Sequence, residues 1–389
     1  MRKARNLRDV RVLMLEFADR TGLTNPDRLP QRYLWTDAHA VCNFLSLYRR
    51  TEDAGYCNLA LRLIDQVHQV LGKHRTDDPR QGWISGLGEA AGARHPTAGG
   101  LRIGKKLNER RPADSYDERL EWDRDGQYFH YLTKWMHALC RASVVTGEAR
   151  YRRWAIELAK AAHAGFASAV RPGGQRGLRW KMSIDLAYPL VPSLGLHDPL
   201  DGFVTCSELT PGPESLADKR KLPDLQAEIA DLAAMIEGQQ WATDDPLGIG
   251  GLLFDAGRLV QLVAARRLET TDILAILVSD ARRSLAAFAS HNPLGDPAPF
   301  RLAFRELGLS IGLSAVATMQ TLVAAQPGAF TRSLAADLEA LANYVPLRRA
   351  IEDFWRDPRH QQANGWLEHL DINSVMLATS LMPDEFLAL

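Results

Sequence analysis

TEDAGYCNLALRLIDQVH (residues 51–68) and TGEARYRRWAIELAKAAH (residues 146–163) are two copies of one pattern, 95 residues apart. At that offset Thr51 meets Thr146, Tyr56 meets Tyr151, Ala60 meets Ala155, Leu63 meets Leu158 and His68 meets His163. In each copy a short polar turn ends one helix, and the tyrosine with the apolar positions forms the packing face of a returning helix. The segments upstream agree. WTDAHAVCNFLSLYRRT places Ala40, Phe44, Leu45 and Tyr48 on one side, and GQYFHYLTKWMHALCRASVVT does so with Phe129, Leu132, Trp135, Met136 and Leu139. The unit is an αα-hairpin, and a repeated hairpin implies a solenoid or a closed ring.

Further helices are expected near 182–195 with 223–239, 248–265 with 269–291, and 300–325 with 332–343. A first helix near 7–20 has no partner before it and a last one near 371–381 has none after it. Pairing those two gives six hairpins, so the expected fold is all-α: a single-domain (α/α)6 toroid over residues 1–389. An open superhelix of the same units is the alternative. Short turns join 49 to 55, 146 to 150 and 265 to 269, whereas long Gly- and Pro-rich segments span 72–125, 170–181, 240–247, 291–299 and 356–370. The long ones precede hairpin-opening helices and should gather at one end, with 72–125 at the active-site face. The stretch 196–222 breaks the alternation and reads as an irregular connection.

Composition removes several functions. Lys and Arg total 47 and so do Asp and Glu, and a net charge of zero argues against a general nucleic-acid binder. The basic N-terminal stretch has an apolar run only from Val12 to Leu15, too short for a secretory segment, and no window approaches 18 uncharged apolar residues. Cys42, Cys57, Cys140 and Cys206 are scattered without a CxxC pair, which favours reduced thiols. The expectation is a soluble, cytoplasmic protein without a membrane or nucleic-acid partner. No GxxxxGK[ST], strand-borne GxGxxG, GxSxG or HExxH is present, so no cofactor and no metal is expected. The basic stretch 101–111 reads as a solvated loop, with binding of an anionic substrate or partner as the alternative.

Tryptophan recurs beside carboxylates where hairpin-opening helices should begin: Trp35 with Asp37, Trp122 with Glu121, Asp123 and Asp125, Trp180 with Asp185, Trp366 with Glu368 and Asp371. An indole face suits a sugar ring and carboxylates accept from hydroxyls, although the same residues also pack and cap helix ends. A helix starting near Gly126 puts Gln127, His130, Tyr131 and Lys134 on one face, toward solvent or a polar cavity. Arg179, Lys181 and Asp185 form a similar group, and Asp255 with Arg258, Arg301, Arg305 and Glu306, and Glu368 with His369 and Asp371 add charges to apolar helices. Internal salt bridges are the alternative reading of these pairs.

The turns TEDAGYCNLA and TGEARYRRWA, the helix opening DGQYFHYLTKWMHAL and the segment SIDLAYPLVPSLGLHDPLDG together resemble the six-hairpin glycosidase-like superfamily. That superfamily holds (α/α)6 glycoside hydrolases and N-acylglucosamine 2-epimerase-like isomerases, and the likeness runs from about residue 30 to 385 as hairpin rhythm rather than as a catalytic motif. It implies a carbohydrate-active enzyme, first of all a glycoside hydrolase with two carboxylates acting on an oligosaccharide, one carrying an acidic sugar included. Asp123 or Asp125 would be one carboxylate and Asp37 or Glu368 the other. Tyr128, His130, Lys134 and Arg179 would bind hydroxyls or a carboxylate, and Trp35, Trp122 and Trp366 would stack on rings. Glu121, Asp185, Arg305 and His369 complete the expected substrate-binding set. The alternatives are a sugar epimerase using His130 and His369, and a non-catalytic toroid that binds a ligand or protein partner.

Overall fold

A computed structural model of the chain describes residues 2–167, 169–170, 176–212, 222–269 and 272–389. Its helices of ten or more residues are numbered here in chain order. The internal repeat is reproduced to the residue. Helices α2 (Leu34–Thr51) and α3 (Ala54–Leu71) reappear 95 positions later as α4 (Phe129–Thr146) and α5 (Ala149–Phe166). Even the turns match, because Glu52 and Gly147 both close their helices in the left-handed conformation. Asp53 then caps α3 by accepting from the Gly55 amide at 2.8 Å.

The chain falls into two compact units, one of them Ala18–Glu237. Here α2, α4 and α6 (Asp198–Leu209) pack side by side, and each is backed by its returning helix, α3, α5 and α7 (Gln226–Ile236). The two classes differ in burial. Every residue of α2 from Leu34 to Leu47 and every residue of α6 is buried. Helix α3 buries only Tyr56, Ala60, Leu63, Ile64, Val67, His68 and Leu71, one stripe at helical spacing.

The expected helix at 182–195 is not formed, and the opening helix of this hairpin lies at Asp198–Leu209 instead, inside the stretch read as irregular. The cause is local. Ser183 Oγ accepts from the amides of Ala187 and Tyr188, Leu186 has a positive φ, and Pro189 and Pro192 interrupt the apolar run. Lys181–Met182 pairs antiparallel with Gln127–Tyr128, fixing this segment beside the head of α4. Pro199 in the first turn then starts α6. Residues 213–221 of the same stretch lie outside the described residues.

The second unit contains the first turns of α1 (Arg2–Arg20) and everything from Gly238. It holds α8 (Pro246–Ala264) with α9 (Asp272–His291), α10 (Ala303–Ala325) with α11 (Arg332–Ala342) and α12 (Val345–Trp355), and α13 (Leu370–Leu381). Helix α12 was not expected: the partner of α10 is broken at Asn343–Tyr344, and Pro346 begins its second half. Asn6 of α1 donates to the Leu381 carbonyl, joining the first and last long helices. Helices α8 and α10 approach so closely that a Cβ on Gly250 would lie 2.1 Å from the Gly308 carbonyl oxygen. Both are long and apolar enough to cross a membrane, and both are mostly buried within the protein.

Candidate active site

The heads of α2, α4 and α6 meet in the first unit and bring together side chains far apart in sequence. His130, in the first turn of α4, points its Nδ1 at the Asp198 Oδ1 of α6 across 3.5 Å. That is too long for a hydrogen bond, and among the described residues neither His130 Nδ1 nor Asp198 Oδ2 has a hydrogen-bond partner, although both are buried. Trp35 Nε1 is in the same state, and the Trp35 ring lies edge-on to His130 at 6.2 Å. Three unsatisfied polar atoms at three adjoining helix heads would each cost about 1–3 kcal/mol unless a ligand or water meets them.

Aromatic rings line this cluster. Tyr128 stacks on His130 at 5.3 Å, Trp180 lies 5.3 Å from Tyr128, and Trp122 lies edge-on to Trp180 at 5.8 Å with half its surface exposed. The row therefore runs from solvent to the His130–Asp198 pair. On the other side Trp35 contacts Tyr131, whose hydroxyl meets that of Tyr33 at 2.7 Å. Burial pushes the Tyr33 phenol up to about 12 and drives Tyr128 and Tyr131 upward as well, so all three are neutral donors at ordinary pH.

Beneath them the polar face of α4 finds partners instead of solvent. Lys134 Nζ donates to Asp201 Oδ2 at 2.7 Å, and Thr133 donates to the same oxygen. Deeper, His137 contacts Glu208 at 2.8 Å with both side chains buried. His39, which bonds the Trp35 carbonyl, is pulled down to about 3 by burial and stays neutral.

The long 72–125 segment is an ordered wall held by charge. Asp125, fully buried, accepts from Arg102 at 2.6 Å, from the Gly104 amide at 2.9 Å and from its neighbour Gly126 at 3.1 Å. Glu121 accepts from Arg110 and Lys181, and burial holds the Lys181 ammonium below its ordinary value. Arg80 ties Asp78, Glu109 and Asp185 together. Burial raises Asp185, but bonds from Ser183, the Ala187 amide and Arg80 outweigh it and hold the carboxyl below its ordinary range. Gln127 bonds the Leu101 amide and the Gly99 and Ile184 carbonyls, sewing the wall to the 181–190 segment.

Of the residues singled out in the sequence, Trp35, Tyr128, His130 and Lys134 come together at this cluster, with Trp122 at its outer edge. Asp37 lies at the head of α2, where it accepts from the Tyr33 amide at 2.9 Å and faces Arg32 at 3.4 Å. Glu121, Asp125 and Asp185 belong to the wall. Asp123 is exposed, and Arg179 is half-buried in a bridge with Leu194. In the second unit Arg305 pairs with Asp245 at 2.9 Å, His369 lies edge-on to Phe304, Glu368 is exposed, and Trp366 is buried against Trp355. Asp255 pairs with Arg258 and Glu306 with Arg301, both inside the protein.

No protein-family model matches the sequence, and no curated protein matches it as a relative. Solved structures do match. A GH76 α-mannanase from Bacteroides thetaiotaomicron is 9% identical over 98% of this chain and 97% of that one, with a TM-score of 0.54. An inactive variant of a GH76A α-1,6-mannanase from Salegentibacter sp., with two aspartates replaced and α-1,6-mannotetrose bound, is 12% identical over 98% and 99%, with a TM-score of 0.53. The chain has the six-hairpin (α/α)6 toroid fold.

Within this toroid, sequence reading missed Asp198, Asp201 and Thr133 as site residues. The signal was present in HDPLDGF, since Asp-Pro followed by an acidic residue marks a helix start. It was masked by the apolar run at 186–191, which drew the expected helix forward by about four turns' worth of chain.

Proposed function

We propose that the chain is a carbohydrate-active enzyme, a glycoside hydrolase acting on an oligosaccharide at the heads of α2, α4 and α6. The observation that carries this is the His130–Asp198 pair, whose His130 Nδ1 and Asp198 Oδ2 are buried yet unsatisfied, at the inner end of the ring row Trp122, Trp180 and Tyr128. Sugar rings stack on such faces, and a carboxyl with an unoccupied oxygen beside an imidazole can carry a proton to or from a glycosidic oxygen. Asp201, three residues on and ion-paired with Lys134, supplies a second carboxylate on the same helix head. Because Lys134 is neutralised there, the proposal is a neutral sugar rather than an acidic one.

The four carboxylates chosen from sequence take separate places in this proposal. Asp37 and Asp125, engaged by guanidinium and amide groups, hold the frame, while Asp123, in the same unit as the ring row, is a further candidate for the second carboxylate of hydrolysis; Glu368 belongs to the second unit. A structural neighbour that is an α-1,6-mannanase makes α-1,6-mannotriose and longer α-1,6-mannooligosaccharides the first substrates to test. New reducing ends that disappear with Asp198→Asn, while the variant keeps its thermal midpoint, support the assignment; hydrolysis unaffected by Asp198→Asn overturns it.

The imidazole favours one second reading, an epimerase or isomerase in which His130 moves a proton on carbon. Interconversion of reducing-end epimers without new reducing ends, lost in His130→Ala, would establish that reading in place of hydrolysis.

A further inference from the structure

The second unit contains a concavity of about 670 Å³ whose wall is built from arginine. Arg2, Arg5 and Arg8 face it from α1 at steps of three residues, Arg349 faces it from α12 and Arg356 from that helix's C-cap, with Asp353 the one acidic lining residue among those described. Behind the wall Asp9 lies 3.8 Å from both Arg5 and Arg8 and 3.1 Å from Arg356. Glu352 is shared between Arg2 and Arg348, each at 2.8 Å, and Asp353 pairs with Arg349 at 3.2 Å. Six guanidinium groups thus face three carboxylates, and the positive excess is gathered on one concave surface.

Two features make this costly for the protein alone. The first turn of α1 carries no acid and begins with arginine, so its exposed amides and its side chains present the same sign of charge. Arg356 is only 7% exposed, and although Asn6 and Asp9 take its Nη2, its Nε has no hydrogen-bond partner among the described residues. Burial, with Arg5 adding to it, pulls this guanidinium below its ordinary value. An oxyanion reverses each term: it accepts from the guanidinium forks two bonds at a time, meets the helix amides and cancels the repulsion.

We propose that this concavity is a binding site for a small, multiply charged phosphate- or sulfate-type oxyanion, held by Arg2, Arg5, Arg349 and Arg356 at the N-terminus of α1. It is independent of the ring-row site and of the reaction assigned there. The volume accommodates a diphosphate or a phosphorylated sugar. Four guanidinium groups around one concavity favour a ligand with two charged groups over orthophosphate.

Calorimetric titration of the full chain with inorganic pyrophosphate, ionic strength held constant with sodium chloride, tests it. The expected result is saturable one-to-one binding, weaker for orthophosphate, reduced about tenfold or more in Arg5→Ala/Arg349→Ala. Both replaced side chains are mostly exposed, so the variant should fold, and its thermal midpoint without ligand should stay level or rise as repulsion is relieved. Absence of saturable binding, or equal binding by the variant, overturns the proposal. Binding of a glutamate-rich peptide in the absence of any pyrophosphate binding overturns it too, and marks the face as a protein contact.

Discussion

His130 Nδ1 stands 3.5 Å from Asp198 Oδ1, a carboxylate and an imidazole brought to the brink of a hydrogen bond with no other described partner for either facing edge. Active-site bonds are often long in the free protein and shorten around a bound ligand. Asp198→Asn should therefore remove at least two orders of magnitude of turnover with a change in thermal midpoint of no more than a few degrees, because no protein hydrogen bond is lost. Assay and melting curve on the same preparation check it. A large fall in midpoint with activity retained would make Asp198 structural.

Acid should weaken the fold through its buried histidines. His68 accepts from Trp135 Nε1 at 3.1 Å, so its bonded nitrogen carries no proton, and burial pulls both it and His39 down to about 3. The unfolded chain binds those protons from about pH 6.5 downward, and the folded chain does not. Between these limits the unfolded state holds more protons, and stability falls with falling pH by about 1.4 kcal/mol per unit for each such histidine. Urea midpoints from pH 7 to 4 should show a shallower slope for His68→Gln, whose carbonyl can still accept from Trp135. An unchanged slope would mean that His68 is already charged.

Alkali should act through the tyrosines. Tyr33 titrates at about 12, and burial moves Tyr131 and Tyr128 upward too, so the unfolded chain loses these protons first, near pH 10. Stability present below pH 10 should thus decline as pH rises toward 12, the opposite sign to the histidine effect. Absorbance titration at 295 nm should show phenols that ionise only on unfolding. Tyr131→Phe should remove one of them and cost about 1 kcal/mol through the lost bond to Tyr33.

The long hairpins were legible because a repeat of amphipathic stripes reports burial on one side, and α2 to α5 sit where the 95-residue offset places them. Residues 182–195 misled because the apolar run at 186–191 imitates a helix stripe, whereas Pro189 and Pro192 with the Ser183 turn decide the backbone. Helix α12 escaped because its amphipathic pattern follows a break that reads like a terminus. For the site, residue type and helix position brought out Trp35, Tyr128, His130 and Lys134. What they face was not readable, since Asp198 and Asp201 reach them across 60 or more positions of sequence. Nor could spacing tell an aspartate with a free oxygen from one engaged by arginine, and Asp125 is the clearest instance.

That difference gives the last prediction. Asp125 is fully buried and takes Arg102, with the Gly104 and Gly126 amides, while Asp123 two residues earlier is exposed. Removing one partner of a buried ion pair strands the other, so Asp125→Ala should cost about 3–5 kcal/mol in urea unfolding, whereas Asp123→Ala should stay within about 0.5 kcal/mol. If Asp125 serves the frame, any activity lost in Asp125→Ala should follow the fraction folded and return when temperature is lowered. A double change, Asp125→Asn with Arg102→Gln, removes both charges and should recover part of the stability lost in Asp125→Asn alone, a coupling that a purely catalytic aspartate would not show. Full stability in Asp125→Ala with activity abolished would move Asp125 from the wall to the chemistry.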